Sequence, residues 1–144
     1  MEVLGIGTIN LAVEDAQAVG DRFRRLGLPP ITDSLVRLEE RPAQIRYHTV
    51  PVGGSSLSLV EPSDETSPIA RYLGKHGEGI FSISLIVSDL AGLMEVWKRE
   101  GVDWVLENPL PFASAEGRAH SGKCNWTKPK STHGILFEVI ERNE

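Results

Sequence analysis

Small polar residues alternate with apolar ones in several short segments of this chain, and one such segment also carries a carboxylate. Because successive side chains of a strand point to opposite faces, each polar set falls on the face opposite its apolar set. The residues on these polar faces are Thr8, Asn10, Ser56, Ser58, Ser82, Ser84 and Glu138. The pattern predicts a wet cavity that is lined by hydroxyl groups, one amide and one carboxylate.

Glu138 is the member of this set best suited to chemistry. A carboxylate inside a cavity with no cation beside it has a raised pKa, because desolvation disfavours its charged form. A raised pKa suits a general base that works near neutral pH. We therefore predict that Glu138 is catalytic. The alternative is an idle carboxylate that is hydrogen-bonded to Ser58 or Thr8.

His48 and Arg46 lie two residues apart in the segment 44–49, so a strand places them on one face. If that face lines the cavity, His48 is a second catalytic acid or base, and Arg46 holds an anionic group of the substrate. If the face points outward, both side chains are merely solvated. Sequence alone leaves the two alternatives open, because the direction of the strand is not determined.

A basic cluster and a tryptophan follow in the last third of the chain. The cluster consists of Lys123, Lys128 and Lys130, with Arg118 nearby, and Trp126 lies within it. We predict that Trp126 forms part of the cavity wall and that Lys128 contacts an anionic substrate group. A solvated rim is the alternative for the lysines.

These residues lie in two halves that repeat one pattern, which indicates an internal duplication. Residues 8–15 match residues 82–89 at an offset of 74, and residues 54–61 match residues 134–141 at an offset of 80. Thr8 and Ser82 thereby become partners, as do Ser58 and Glu138. Two anchors in the same order in both halves predict two equivalent modules, residues 5–62 and 79–142, within one domain of residues 1–144.

Local signals predict the same elements in each half. Asp15 and Asp89 stand at helix N-cap positions after alternating strands, and Gly27 and Gly101 end the two helices. A short helix is expected from Ser67 to the region of Gly77. Further strands are predicted over residues 44–51, 55–61 and 134–142, and residues 108–123, rich in Pro, Gly, Ala and Ser, are the loosest region.

Bulk properties narrow the class of protein. The chain of 144 residues has a net charge of −5, which argues against a nucleic-acid partner. No apolar run reaches the ~20 residues that span a bilayer, and the N-terminus lacks the features of a signal peptide. A single cysteine, Cys124, suits a reducing cytoplasm. We expect a cytoplasmic α+β protein whose partner is a small molecule.

Several motifs of the chain resemble those of methylmalonyl-CoA epimerases, which are members of the vicinal oxygen chelate superfamily. The motifs are Glu61-Pro62, Ser67-Pro68-Ile69-Ala70, Gly77-Glu78-Gly79-Ile80 and Pro129-Lys130-Ser131-Thr132. The resemblance extends from about residue 6 to 142. It implies two βαβββ modules that each curl into a half-barrel around a shared cup, and it implies a homodimer.

The resemblance also implies a metal held by four residues, usually His, Gln or Glu, His, and Glu. In this chain the four positions are Thr8, Ser58, Ser82 and Glu138, so three of the four ligands are absent. Hydroxyl groups of Ser and Thr do not replace imidazole as zinc ligands. We therefore predict no metal and no cofactor. Lys128 occupies a position where the family often has a histidine.

Two functions from different classes remain open. The leading interpretation is a metal-independent, epimerase-like enzyme that catalyses proton transfer, isomerisation or elimination on a small carbonyl compound such as a CoA thioester. Hydroxyls of Thr8, Ser58 and Ser82 would then stabilise the developing oxyanion. The alternative is a binding protein that sequesters a small molecule, as bleomycin-resistance proteins do. Ordinary methylmalonyl-CoA epimerase activity comes third.

Overall fold

The computed structural model describes residues 2–38, 44–114 and 121–143. The first half of the chain forms β1 (Val3–Ala12), α1 (Ala16–Arg25), β2 (Thr32–Leu38), β3 (Gln44–Val52) and β4 (Ser55–Val60). A connecting helix, α2, follows at Pro68–His76. The second half forms β5 (Gly79–Val87), α3 (Leu90–Arg99), β6 (Leu110–Ser114), β7 (Gly122–Trp126) and β8 (Phe137–Arg142). Both halves therefore have the order βαβββ.

Helix boundaries follow from capping residues. The carboxylates of Asp15 and Asp89 accept hydrogen bonds from the backbone of Ala18 and Gly92, which satisfies an N–H group in the first turn of α1 and of α3. Gly27 and Gly101, with φ of 94° and 92°, follow the last turns in a conformation that favours glycine. Both pairs of predicted caps are confirmed.

The eight strands close into a barrel in the order β1-β4-β3-β2-β6-β7-β8-β5. The two halves meet where β1 pairs with β5 and where β2 pairs with β6, both antiparallel. Within the halves, β1 runs parallel to β4 and β5 runs parallel to β8. The predicted fold class, two βαβββ modules around a shared cup, is confirmed.

Strand register repeats the sequence offsets. Asn10 on β1 pairs with Ser58 on β4, and Ser84 on β5 pairs with Glu138 on β8. Asn10 and Ser84 are 74 residues apart in sequence, and Ser58 and Glu138 are 80 apart. Ile9 pairs with its own counterpart, Ile83, across the β1–β5 seam, so a pseudo-twofold axis passes through this seam.

Helices cover the outside of the barrel, which leaves the polar strand faces on the inside. Leu59 of β4 is fully buried in a cluster with residues of α1, and Val139 of β8 is fully buried in a cluster with residues of α3. Leu59 and Val139 are 80 residues apart in sequence, so they occupy equivalent positions in the two modules. A third cluster joins α2 to Ala12 and Val60 at one end of the barrel.

Each flanking helix is also held by a glutamate at the end of a strand in its own half. The Glu61 carboxylate accepts a hydrogen bond of 2.7 Å from the backbone N–H of Ala16, at the start of α1. In the second half, the Glu141 carboxylate accepts one of 2.9 Å from the backbone N–H of Leu90, at the start of α3. Negative charge at a helix N-terminus also favours the helix dipole.

Two expectations about the second half need correction. Residues 108–123 are not all loose, because they include β6 and the start of β7; Leu110 packs against Cys124 in a small apolar cluster, and residues 115–120 lie outside the described residues. The last strand begins at Phe137 rather than at residue 134. The reason is a tight turn, in which His133 and Gly134 have φ of 56° and 85°.

Candidate functional site

Glu138 lies half-buried on the inner face of β8, and two donors orient its carboxylate. The hydroxyl of Ser84 donates a hydrogen bond of 2.8 Å to Oε1. The indole Nε1–H of Trp126 donates one of 3.1 Å to Oε2. Both neighbours are set by register, because β8 pairs Glu138 with Ser84 on one side and with Trp126 on the other. Each carboxylate oxygen is thus held by a donor from a different strand.

Thr8 and Asn10 form a second layer behind Ser84. The hydroxyl of Thr8 lies 2.8 Å from Ser84 Oγ and 2.8 Å from Asn10 Oδ1. Asn10 Nδ2 lies 2.8 Å from Ser82 Oγ and 3.0 Å from Ser84 Oγ. Since the single hydroxyl hydrogen of Ser84 is given to Glu138, its oxygen must accept from Asn10 Nδ2, and the single hydrogen of Thr8 goes either to Ser84 Oγ or to Asn10 Oδ1. A chain of donors from Asn10 through Ser84 therefore ends at the carboxylate.

Burial raises the pKa of Glu138 above its ordinary value, while the hydrogen bonds from Ser84 and Trp126 act in the opposite direction. Desolvation is the larger effect, because the carboxylate sits beside an apolar cluster that includes Cys124 and Ile140. Burial likewise raises the pKa of the Cys124 thiol, and the charge of Glu138 raises it further. Cys124 is free and buried, and it behaves as a small hydrophobic residue, as free cysteines commonly do.

A cavity of about 500 Å³ opens at the mouth of the barrel, next to this network. Its walls come from both halves of the chain and include Leu4, Thr8, Thr49, Ser56, Ile86 and Arg142. Thr8 therefore both lines the cavity and connects through Ser84 to Glu138. The volume is in the range of small-molecule sites, which is roughly 300–1,000 Å³.

The structure brings together five of the residues that the sequence singled out. Glu138, Thr8, Asn10, Ser82 and Trp126 lie in one continuous hydrogen-bonded network. Sequence reasoning placed Ser84 on the right face but did not include it in the site. Its offset of 74 from Asn10, the same as that of Ser82 from Thr8, was the signal that could have identified it.

Ser58 lies on the same inner face but is not part of the network around the carboxylate. It is buried, and it pairs with Asn10 on β1 and with Thr49 on β3. Among the described residues, no hydrogen bond joins Ser58 to Glu138. The partners predicted for an idle Glu138, Ser58 and Thr8, are replaced by Ser84 and Trp126.

His48 lies on the other face of β3, so its position does not support the catalytic role that we predicted. It pairs directly with Leu59, which is buried against α1, whereas the neighbouring Thr49 pairs with Ser58 on the inner face. Side chains of directly paired residues share a face, and the register therefore decides between the two alternatives. Arg46 belongs to the same strand, but its side chain lies outside the described residues.

Lys128 is exposed beyond the end of β7, where it precedes a short 3-10 turn at Pro129–Thr132. It lies two residues beyond Trp126, and it is not among the described residues that line the cavity. Lys123 points to the outer face, where its ammonium group lies 3.3 Å from the carboxylate of Glu141. The predicted basic cluster does not converge on the cavity, and Arg118 lies outside the described residues.

The residues at the four ligand positions do not fit a transition-metal site. Both oxygens of Glu138 already accept hydrogen bonds, and one donor is an indole N–H, which has no lone pair for a metal. The other three positions are the hydroxyls of Thr8, Ser58 and Ser82. Among the side chains that the structure describes, no three His, Cys, Asp or Glu residues come together as a metal-binding group.

Comparison with known proteins agrees with this architecture. Residues 9–119 match the family model of the glyoxalase/bleomycin resistance protein/dioxygenase superfamily. The chain belongs to this superfamily. None of the described helices is long and apolar enough to cross a membrane.

Solved structures and a curated protein resemble the chain over nearly its full length. A methylmalonyl-CoA epimerase from Mycobacterium tuberculosis is 27% identical, with a TM-score of 0.78, and the match covers 99% of this chain and 90% of that one. A Streptomyces coelicolor epimerase in complex with 2-nitronate-propionyl-CoA shares the fold, with 23% identity, a TM-score of 0.77 and coverage of 98% and 99%. The uncharacterized protein YqjC of Bacillus subtilis is 25% identical over 94% of this chain and 89% of its own length.

Proposed function

We propose that this superfamily member is a metal-independent, epimerase-like enzyme that moves a proton on the carbon beside the carbonyl of a small compound, such as a CoA thioester. The observation that supports this most directly is the carboxylate of Glu138. It lies half-buried inside the cup, its pKa is raised by burial, and two donors hold its oxygens in place. The likeness to methylmalonyl-CoA epimerases supports the class of substrate.

In this mechanism Glu138 is the base and the surrounding groups orient it. The carboxylate takes the proton from the carbon beside the carbonyl, and the electron pair of the broken C–H bond moves into the carbonyl, which becomes an enolate. Ser84 and Trp126 keep the lone pairs of the carboxylate in a fixed direction. Return of the proton from neutral Glu138 regenerates the starting compound. Epimerisation is completed when water protonates the opposite face of the enolate and neutral Glu138 releases its proton to water.

The hydroxyl groups available to the enolate oxygen are fewer than the sequence suggests. The single hydrogen of Thr8 has two acceptors within 2.8 Å, Ser84 Oγ and Asn10 Oδ1, so it is already used within the protein. Ser58 and Ser82 flank Asn10 on β4 and β5, and neither donates a hydrogen bond among the described residues. We assign the stabilisation of the oxyanion to these two serines, each by hydrogen-bond donation.

The test is exchange of the substrate proton with solvent, followed by NMR in D₂O on methylmalonyl-CoA and other short acyl-CoA thioesters. Glu138→Gln is expected to lower the exchange rate by roughly 10²–10⁴, the usual contribution of a positioned base. Glu95→Gln, on the exposed face of α3, is the matched control and should exchange at the rate of the parent protein. Equal exchange rates in both variants would remove Glu138 from the mechanism.

Binding measurements on the same variants distinguish the enzyme from the alternative, a protein that sequesters a small molecule. The cavity of about 500 Å³ supports this alternative. A sequestering protein would bind its ligand within about tenfold of the parent affinity after Glu138→Gln and would show no proton exchange before the substitution. Tight binding of an acyl thioester without any exchange would replace the proposed enzyme with this alternative.

A further inference from the structure

Among the described residues that line the cavity, one has a cationic side chain: Arg142, which lies on the same face of β8 as Glu138. The side chains of residues 138, 140 and 142 point to the inner face. Arg142 is four residues beyond Glu138, which is roughly 13 Å along the strand. It contributes directly to the cavity wall, opposite Thr49 and Ser56 of the first half. A guanidinium group at this place faces any molecule that enters the barrel.

None of the described neighbours of Arg142 neutralises its charge. Its cross-strand partner on β7 is Gly122, which has no side chain to contact it. Among the described residues, Arg142 forms no ion pair, whereas the adjacent Glu141 is paired with Lys123 on the outer face. The described lining of the cavity also contains no carboxylate. The positive charge is therefore available to a ligand.

The rest of the wall has two kinds of surface. Thr8 and Ser56 present hydroxyl groups, and no hydrogen bond from the described residues involves the hydroxyl of Ser56. Leu4, Ile6 and Ile86 present apolar surface, and the first two are 61% and 47% exposed. Exposed apolar side chains beside an unpaired guanidinium match a molecule with an apolar body and a negatively charged end.

We propose that this cavity binds an organic anion, with its carboxylate or phosphate group on Arg142 and its apolar body against Leu4, Ile6 and Ile86. The inference rests on the proposed function, since the anion is then the substrate and its opposite end points inward past Thr8 toward Glu138. The guanidinium presents paired N–H donors that match either oxyanion. Arg142 thus selects charged substrates over neutral analogues.

The experiment is calorimetric titration with three probes of similar size: hexanoate, hexyl phosphate and the uncharged hexanamide. We expect at least one of the two anions to bind the parent protein about tenfold or more tightly than hexanamide, the contribution of a charged hydrogen bond. Arg142→Gln should remove this preference, and Arg142→Lys should keep part of it. Whichever anion binds more tightly identifies the group that the site prefers.

Two control variants make the outcome decisive. Arg99→Gln removes one positive charge at the exposed end of α3 and should leave the preference unchanged. Glu138→Gln should also retain it, so loss of proton exchange and loss of anion binding are measured separately. Failure of all three probes to bind, equal binding of hexanamide and both anions, or a preference that persists in Arg142→Gln would overturn the proposal.

Discussion

Replacing Trp126 with phenylalanine isolates the effect of one hydrogen bond on the base. The indole N–H lies 3.1 Å from Oε2 of Glu138 and favours the ionised carboxylate, so it lowers a pKa that burial raises. A hydrogen bond to a charged group contributes about 1.5–3 kcal/mol, and one pKa unit corresponds to about 1.4 kcal/mol. Trp126→Phe should therefore raise the pKa of Glu138 further, because the ionised carboxylate loses about 1.5–3 kcal/mol of stabilisation.

The assay is a titration of ¹³C-labelled glutamate carboxyl groups by NMR, in which Glu138→Gln identifies the resonance of interest. Trp97→Phe is the matched control, because Trp97, on α3, packs against Trp104 and Phe137, and among the described hydrogen bonds it donates none to Glu138. A pKa of Glu138 that is the same in Trp126→Phe and in the parent protein would refute the reasoning that the indole holds the carboxylate.

The direction of this shift also determines how stability depends on pH. Because the pKa of Glu138 is raised in the folded state, the folded protein holds this proton at pH values where the unfolded chain has lost it. Stability from this group is therefore present below the unfolded pKa and is lost as the pH rises through the folded pKa. Trp126→Phe extends that loss to higher pH, which thermal unfolding at a series of pH values would show.

Three further predictions follow from other parts of the structure. Gly122→Ala should lower the free energy of unfolding by about 3 kcal/mol or more, because an added Cβ would overlap the backbone carbonyl of Glu141. Chemical unfolding measures this loss, and an unchanged midpoint would contradict the packing of β7 against β8. Elemental analysis of the purified protein should find no stoichiometric transition metal, and a metal that is lost on Glu138→Ala would overturn this expectation. The mass measured by light scattering should be that of a homodimer, because the family resemblance implies one. The mass of a monomer at micromolar concentration would count against this prediction.

The two-module organisation and the inner faces of the strands could be predicted from the sequence, because both follow from local periodicity and from the duplication. The half-barrels around a shared cup were implied by the family resemblance. Alternation alone placed Thr8, Asn10, Ser82 and Glu138 on the inner side of their strands. Which side chains share a face is a property of each strand taken separately, and an alternating sequence pattern is enough to predict it.

The contacts of the base could not be predicted in the same way, because they depend on which strands pair and in which register. Trp126 reaches Glu138 only because β7 pairs with β8 at that position, and His48 faces α1 only because it pairs with Leu59. A binding role for Arg142 could not be predicted from the sequence. Nothing in its local pattern shows that it borders a cavity whose wall comes mostly from the first half.

The register that pairs Asn10 with Ser58 and Ser84 with Glu138 has a consequence for stereochemistry. Pseudo-twofold symmetry makes Ser58 the counterpart of Glu138, so one side of the cup offers a base and the other side offers a hydroxyl that is not basic at neutral pH. In the proposed mechanism, an enolate held between them would receive a proton from Glu138 on the side from which the proton left, which preserves the configuration at the carbon. Inversion, and with it epimerisation, therefore depends on protonation by water on the face that Ser58 occupies.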